Sequence, residues 1–117
     1  MSKFPTRMFQ FAAAFGVLVL VPLYFAPWPA TSPEYYLGFV GVALVFQAVF
    51  WVIGTSPQRY RALMPLAVAE KIAFGVPALA LVAKGLTAQS VALPAAIDLV
   101  LGAGFLVAWR LTPKPEA

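Results

Sequence analysis

The sequence predicts an all-α fold, an integral membrane four-helix bundle whose N- and C-terminal ends both lie on the cytoplasmic side. Hydrophobic residues make up 62% of the 117 residues and charged residues only 10%, whereas soluble proteins carry about 45–50% apolar and about 25% charged residues. The apolar residues form four runs of about 20 residues, the length that a helix needs to cross the roughly 30 Å hydrocarbon layer. Basic residues flank these runs. We therefore expect one membrane domain over residues 1–117.

The four predicted helices follow one another with short breaks between them. They cover about residues 8–26, 35–54, 62–83 and 91–109. Each break contains proline or glycine, which interrupt helices. Lys3 and Arg7 precede the first run as they would in a secretory signal peptide. The run is long for such a peptide and no small-residue cleavage motif follows it, so we expect it to persist as the first helix.

The distribution of basic residues predicts the orientation. If all four helices cross the membrane, six basic residues share one side: Lys3, Arg7, Arg59, Arg61, Arg110 and Lys114. Lys84 alone falls on the other side, and Lys71 lies within the third helix. Because short cytoplasmic loops are enriched in lysine and arginine, both chain ends are predicted to be cytoplasmic and the protein to be a multi-pass inner-membrane protein. Basic residues that flank helices also explain the net charge of +4 without a nucleic-acid partner.

The absence of two residue types limits the chemistry that the chain can perform. The sequence has no cysteine and no histidine, so thiolate nucleophiles, cysteine-bound metals and histidine-based haem or zinc sites are excluded. We predict no cofactor, no metal and no catalytic residue. Among enzymatic activities only acid–base chemistry by Glu70 or Asp98 remains, and an enzyme is the least favoured class of function.

A small set of polar residues lies inside the predicted helices and is the candidate functional site. Glu70 and Lys71 belong to the third helix, Asp98 to the fourth and Gln47 to the second. At 1.5 Å per residue, Gln47 and Glu70 lie about 10–12 Å from the cytoplasmic edge, and Asp98 lies about 10 Å below the outer edge. The difference in depth between Glu70 and Asp98 is one that the long side chain of Lys71 partly spans. A charge at the bilayer centre costs about 2.5–3.5 kcal/mol, so these residues require an explanation.

Two interpretations of the cluster remain open. In the structural one, Lys71 pairs with Asp98 or Glu70, Gln47 hydrogen-bonds to the set, and the contacts fix the register of the bundle. In the functional one, the cluster binds a ligand or handles protons, the default hypothesis for ionisable residues in membranes. Two acids and one base also leave one negative charge unmatched if all three ionise.

Three classes of function follow from these interpretations. The first is a non-enzymatic protein that binds a lipid-like small molecule, or that docks as an accessory subunit of a larger membrane complex. The second is a proton- or cation-coupled small transporter, and the third is the enzyme. Expected partners are membrane lipids, a hydrophobic small molecule, and either a second copy or a membrane-complex partner. A polar cavity favours binding, whereas a wet path to both faces favours transport.

Glycines in the predicted helices indicate where helices approach closely. Gly38 and Gly41 lie in the second helix, and Gly102 and Gly104 lie in the fourth. Small residues at these positions allow the backbones of neighbouring helices to approach one another.

The order of these features resembles a known kind of protein. The Pro57-x-Arg-Tyr-Arg stretch precedes the third helix, Glu70-Lys71 lies inside it, Gly85 follows it, and Asp98 lies in the fourth helix. Over about residues 35–112 this order is similar to that of small uncharacterised bacterial four-helix membrane proteins of the DoxX-like kind. The resemblance implies a four-helix inner-membrane protein and implies no activity or catalytic residue.

Overall fold

The computed structural model describes residues 2–116 and shows an all-helical protein. Four α-helices account for most of the chain: α1 (Phe4–Leu20), α2 (Pro33–Thr55), α3 (Met64–Ala83) and α4 (Ala92–Leu111). No strand occurs within residues 2–116. Short 3-10 helices extend α1 at its end and precede α3 and α4, so that each helical segment reaches 21 to 23 residues. All four segments are long and apolar enough to cross a membrane.

The ends of α1 differ from the predicted ones because of two prolines. α1 begins at Phe4, and Pro5 lies in its first turn, where a residue without an N–H group is tolerated. The α-helix ends at Leu20 and continues as a 3-10 helix over Val21–Tyr24. Pro22 has no N–H to donate to the carbonyl of Leu18, so the regular α-helical hydrogen bonding cannot continue there.

The other helix boundaries lie close to their predicted positions and have local causes. α2 begins at Pro33, again a proline in a first turn. α3 ends before Gly85, whose φ of 71° lies in the left-handed region that glycine adopts without strain. The amide of Leu86 then donates to the carbonyl of Leu81 at 2.9 Å, which closes the helix end in a Schellman arrangement.

The four helices are antiparallel neighbours arranged as two tightly packed pairs. α1 packs along α2, and α3 packs along α4. α1 and α4 join the two pairs, whereas α2 and α3 make the least contact of these neighbours. The rings of Phe39 and Phe74 meet across this weaker boundary with centroids 5.4 Å apart. The bundle is therefore closed on three sides and loosely packed on the fourth.

The start of α1, the α2–α3 connection and the end of α4 meet at one end of the bundle. We call it the basic end because it carries the six basic residues named above. Arg61 Nε donates to the carbonyl of Thr112 at 2.7 Å, and Gln58 Nε2 donates to the carbonyl of Lys114 at 2.9 Å. The Arg61 guanidinium also lies 4.9 Å from the centroid of the Trp109 ring. These contacts hold the connection against the chain that follows α4.

The buried core lies in the half of the bundle nearest the basic end. The rings of Phe9 and Phe105 stack with centroids 4.3 Å apart, and Phe50 meets Phe105 at 4.8 Å. All three side chains are fully buried, together with Ile53 and Met64. We call Phe9, Phe50 and Phe105 the phenylalanine layer, and it separates the basic end from the rest of the interior.

Candidate functional site

A cavity of about 360 Å³ lies between the helices on the other side of the phenylalanine layer and is partly open to the outer surface, because exposed residues such as Val19 and Leu93 belong to its wall. All four helices line it, through the second half of α1, the middle of α2, the middle of α3 and the first half of α4. Most of its wall is apolar, formed by residues such as Phe15, Phe39, Ala43 and Phe74. The predicted polar residues all line it as well: Gln47, Glu70, Lys71 and Asp98. The sequence-based candidates therefore share one cavity.

Lys71 joins the two acids into an ion-paired cluster. Its Nζ donates a hydrogen bond to Asp98 Oδ1 at 3.3 Å and lies 3.5 Å from Glu70 Oε2. Lys71 is only 4% exposed, while the side chains of Glu70 and Asp98 retain 17% and 22%. The ammonium group is thus enclosed, and the two carboxyl groups remain partly accessible from the cavity.

The position of Lys71 depends on close packing between α3 and α4. A Cβ added at Gly102 would lie 3.1 Å from Lys71 Cβ, and one added at Gly75 would lie 3.1 Å from the carbonyl oxygen of Ala95. Both separations are tighter than ordinary van der Waals contacts. Two glycines therefore let the helices approach closely enough for the Lys71 side chain to reach Asp98 on the neighbouring helix.

Lys71 also rests on the phenylalanine layer. Its Nζ lies 5.2 Å from the centroid of the Phe50 ring, within the range of a cation–π contact. The ion-paired cluster consequently forms the polar floor of the cavity, and the fully buried aromatic rings lie beneath it.

Gln47 lies in the same cavity but does not join the ion-paired cluster. Its Nε2 donates to the carbonyl of Ala43, one turn earlier in α2, at 2.8 Å. The side chain is 2% exposed and packs directly against Gly16 of α1, where a Cβ would collide with the amide group. The expected hydrogen bond between Gln47 and the charged residues is therefore absent from this structure.

Two buried oxygen atoms of the site have no hydrogen-bond partner within residues 2–116. They are Gln47 Oε1 and Glu70 Oε2. Glu70 Oε2 has Lys71 Nζ nearby at 3.5 Å, but the contact does not have hydrogen-bond geometry. Both atoms have almost no accessible surface, and Gln47 Oε1 is the atom closest to the Cβ position of Gly16, so neighbouring protein atoms enclose them in this structure.

Several wall residues of the cavity were not singled out from the sequence. Gly16 was missed, although a glycine in the interior of an apolar helix is a recognisable sign of close packing. The aromatic wall residues Phe15, Phe39 and Phe74 carry no distinguishing pattern among ten phenylalanines. Of the predicted glycines, Gly102 contacts Lys71 as described, whereas Gly38 has no atom within 4 Å of a would-be Cβ.

The residues present do not resemble a metal site. Within residues 2–116, no group of three or more histidine, cysteine, aspartate or glutamate side chains is placed to hold a metal ion. The polar floor has two carboxyl groups, and Lys71 already lies against both of them.

The fold and the site together define a class of protein, a small bundle of four membrane-length apolar helices with a charged cluster at the floor of a cavity between the helices. Comparison with models of protein families, with curated proteins and with solved structures found no match to this chain.

Proposed function

We propose that this chain is a small integral protein of the inner membrane that binds a lipid-like small molecule in the cavity between its four helices. The observation that carries the proposal is the combination of a mostly apolar cavity of about 360 Å³ with a polar floor formed by Glu70, Lys71 and Asp98. Apolar walls with a few converging polar groups are typical of small-molecule sites, and this volume lies toward the small end of their usual range.

The outer surface supports a membrane location. Large apolar side chains are exposed on every helix, among them Leu18, Val45, Leu66 and Val100. Soluble monomers rarely expose contiguous apolar patches of more than a few hundred Å². A lipid environment removes this apolar surface from water.

The charge distribution supports an orientation with both ends in the cytoplasm. The contacts of Arg61 with Thr112 and Trp109 place the α2–α3 connection beside the end of α4, so the basic residues of both segments gather at one end. Lys84 lies at the other end, in the α3–α4 connection. The positive-inside rule then assigns the basic end to the cytoplasm.

A proton- or cation-coupled carrier is the second candidate, and the cluster of Glu70, Lys71 and Asp98 is the observation that favours it. A carrier requires access to the site from both sides of the membrane in turn. The fully buried phenylalanine layer closes the cavity toward the basic end. This layer is the reason why we place binding before transport.

Native mass spectrometry of the protein released gently from its own membrane tests the binding proposal. We expect the wild type to carry a small-molecule adduct that is lost or reduced in Glu70→Gln and Asp98→Asn. Glu34→Gln is the matched control, because Glu34 is an exposed acid in the first turn of α2, outside the cavity. The thermal stability of each variant is measured in parallel.

The outcomes separate the candidate functions. A protein partner retained in place of a small molecule would support the accessory-subunit role instead. A wild type without any adduct, together with unchanged thermal stability in both cavity variants, would contradict the binding proposal. Unstable variants of an adduct-free wild type would assign the cluster to the structural role.

A further inference from the structure

A second apolar space lies against the wall of the cavity. It is a groove of about 420 Å³ on the outer surface of the bundle, between α1 and α4. Phe11 and Val100 are largely exposed there, so the groove faces the surface that lipid would cover. All the residues of its lining are apolar: Phe11, Phe15, Ala96, Ile97, Val100 and Leu101. Such a groove suits a hydrocarbon chain.

The groove and the cavity share part of their lining. Phe15, Ile97 and Leu101 belong to both, so these three residues stand between the cavity and the lipid-facing surface. Phe15 and Ile97 are only half-buried. Side chains with some exposure change rotamer within nanoseconds, which offers a hydrocarbon chain a way from one space to the other.

The contacts between α1 and α4 leave the cavity accessible beside these helices. Near the basic end the phenylalanine layer joins the two helices, since Phe9 of α1 stacks on Phe105 of α4. Farther from the basic end, Val19 of α1 and Leu93 of α4 belong to the cavity wall and yet remain exposed. At the α2–α3 boundary, by contrast, two aromatic rings meet and stand between the helices.

The size of the cavity indicates why a ligand would use the groove as well. If one water-sized group occupies about 30 Å³, the cavity holds on the order of a dozen heavy atoms. A chain that spans one leaflet, about 15 Å, already has on the order of a dozen carbon atoms before its head group is counted. The remainder of such a chain must lie outside the cavity, and the groove adjoins it.

We propose that the cavity and the groove form one site for a lipid with a single long hydrocarbon chain. The head group lies at the polar floor of the cavity, and the chain passes between Phe15 and Ile97 into the groove. This inference rests on the proposed binding function and extends its site to the lipid-facing surface. The ligand then enters sideways from the bilayer, while the phenylalanine layer keeps the basic end closed.

Photolabelling in lipid nanodiscs tests where the two ends of a bound chain lie. The probes are two forms of hexadecanol, one with a diazirine beside the hydroxyl group and the other with a diazirine at the far end of the chain. The hydroxyl group is uncharged, so neither Lys71 nor the acids repel it. It also donates readily to carboxyl groups, and those of Glu70 and Asp98 are partly exposed.

Competition with excess unmodified hexadecanol separates saturable labelling of a site from labelling by bulk contact with lipid. We expect the first probe to label residues that line only the cavity, such as Gln47 and Phe74. The second probe is expected to label Phe11 and Val100, which line only the groove. Both labels should disappear when the competitor is added.

Three variants test whether the groove and the cavity act together. Ala96 is exposed and lines only the groove, so Ala96→Trp is expected to abolish saturable labelling of Phe11 and Val100 while cavity labelling remains. Ala103→Trp is the matched control, because Ala103 is an exposed alanine of the same helix that lines neither space. Ala43→Leu narrows the cavity and is expected to abolish both labels. Thermal unfolding is measured for each variant, and the two variants at exposed positions decide the result if Ala43→Leu does not fold.

The results distinguish failure of this inference from failure of the binding function. Saturable labelling of the cavity by both probes, with none in the groove, would overturn the shared site and retain binding in the cavity. Groove labelling that persists in a folded Ala43→Leu, or equal effects of Ala96→Trp and Ala103→Trp, would also overturn the shared site. No saturable labelling by either probe would overturn both the shared site and the proposed binding function.

Discussion

Lys71 determines whether the polar residues of the cavity form one cluster. It is the single cation among two acids, it is almost fully buried, and it lies within 3.5 Å of both carboxyl groups. Without Lys71, the carboxyl groups of Glu70 and Asp98 would face a mostly apolar cavity and would lose the cation that pairs with them. The stability of the site should therefore respond to Lys71 more than to either acid alone.

We predict that Lys71→Met destabilises the protein by about 2 kcal/mol. This value lies between the average of about 0.6 kcal/mol for polar contacts between membrane helices and the 3–5 kcal/mol for breaking a buried ion pair. The carboxyl groups retain some exposure, which limits the cost. Unfolding in mixed detergent measures the change, with Lys84→Met in an exposed connection as the control.

The pH dependence of the Lys71→Met defect provides a second check. Protonated carboxyl groups need no cationic partner, so the difference in stability between variant and wild type should shrink as the pH falls. A defect that stays constant across the acidic range would show that the loss comes from packing of the lysine stem rather than from charge.

Gly16 and Gln47 form the second pair on which the site depends. We predict that Gly16→Ala destabilises the protein by about 1–3 kcal/mol, because its Cβ would collide with the buried Gln47 amide. Gln47→Ala in the same chain should remove most of that cost, which a double-mutant cycle measures. Gly38→Ala is the control, since no atom lies within 4 Å of its Cβ position. Equal effects of the two glycine substitutions would contradict the predicted collision.

At the scale of the helices, the unequal packing of the two pairs explains where the cavity lies. Glycines at positions 75 and 102 bring α3 and α4 close together, whereas α2 and α3 make little contact. The space that remains between the pairs is filled by the phenylalanine layer in one half and forms the cavity in the other. One aromatic cluster therefore both stabilises the bundle and closes the floor of the site.

We predict that Phe105→Ala destabilises the bundle by about 3–5 kcal/mol, the usual cost of removing a fully buried phenylalanine side chain. Phe105 is 0% exposed and stacks on Phe9. The adjacent Leu106 is 42% exposed and provides the control, with Leu106→Ala expected to cost much less in a lipid environment. Thermal unfolding in nanodiscs compares the two. Equal losses would mean that the phenylalanine layer is not the centre of the core.

At the scale of the whole molecule, the proposed orientation makes a direct prediction. Because the sequence has no cysteine, single cysteines report accessibility without background from the protein itself. Thr31→Cys and Ser90→Cys, both at exposed positions in the connections away from the basic end, should react with a membrane-impermeant thiol reagent in intact cells. Glu116→Cys should react only after permeabilisation. The reverse pattern, or equal labelling from both sides, would contradict the cytoplasmic assignment of both chain ends.

The architecture of four helices could be predicted because it depends on composition and segment length. Runs of about 20 apolar residues separated by proline or glycine allow few alternatives, and the all-helical structure with four membrane-length helices is confirmed. Boundaries such as the end of α1 at Leu20 were less predictable, since a proline such as Pro22 indicates a helix break but does not indicate that the chain continues as a 3-10 helix. The orientation and the DoxX-like resemblance stay predictions.

The candidate site could be predicted only as a set of residues. Polar side chains inside apolar helices are conspicuous in a sequence, and Gln47, Glu70, Lys71 and Asp98 were all recognised in this way. Their pairing could not be derived, because helix rise fixes depth along the axis but not the rotation of each helix. Lys71 contacts Asp98, which the estimated depths allowed, whereas Gln47 donates its hydrogen bond to the Ala43 carbonyl of its own helix.

The sequence by itself determined that this protein has four membrane-length helices, which residues in them are polar, and that cysteine and histidine chemistry is absent. Only the tertiary structure decided that the polar residues share one cavity, that the phenylalanine layer closes it on one side, and that Lys71 pairs with Asp98 while Gln47 does not join the cluster. The physical reason is that hydropathy and length act along a single segment. Cavities and hydrogen-bond partners arise between segments, where the contacts of Gly16, Gly75 and Gly102 set the distances between helices.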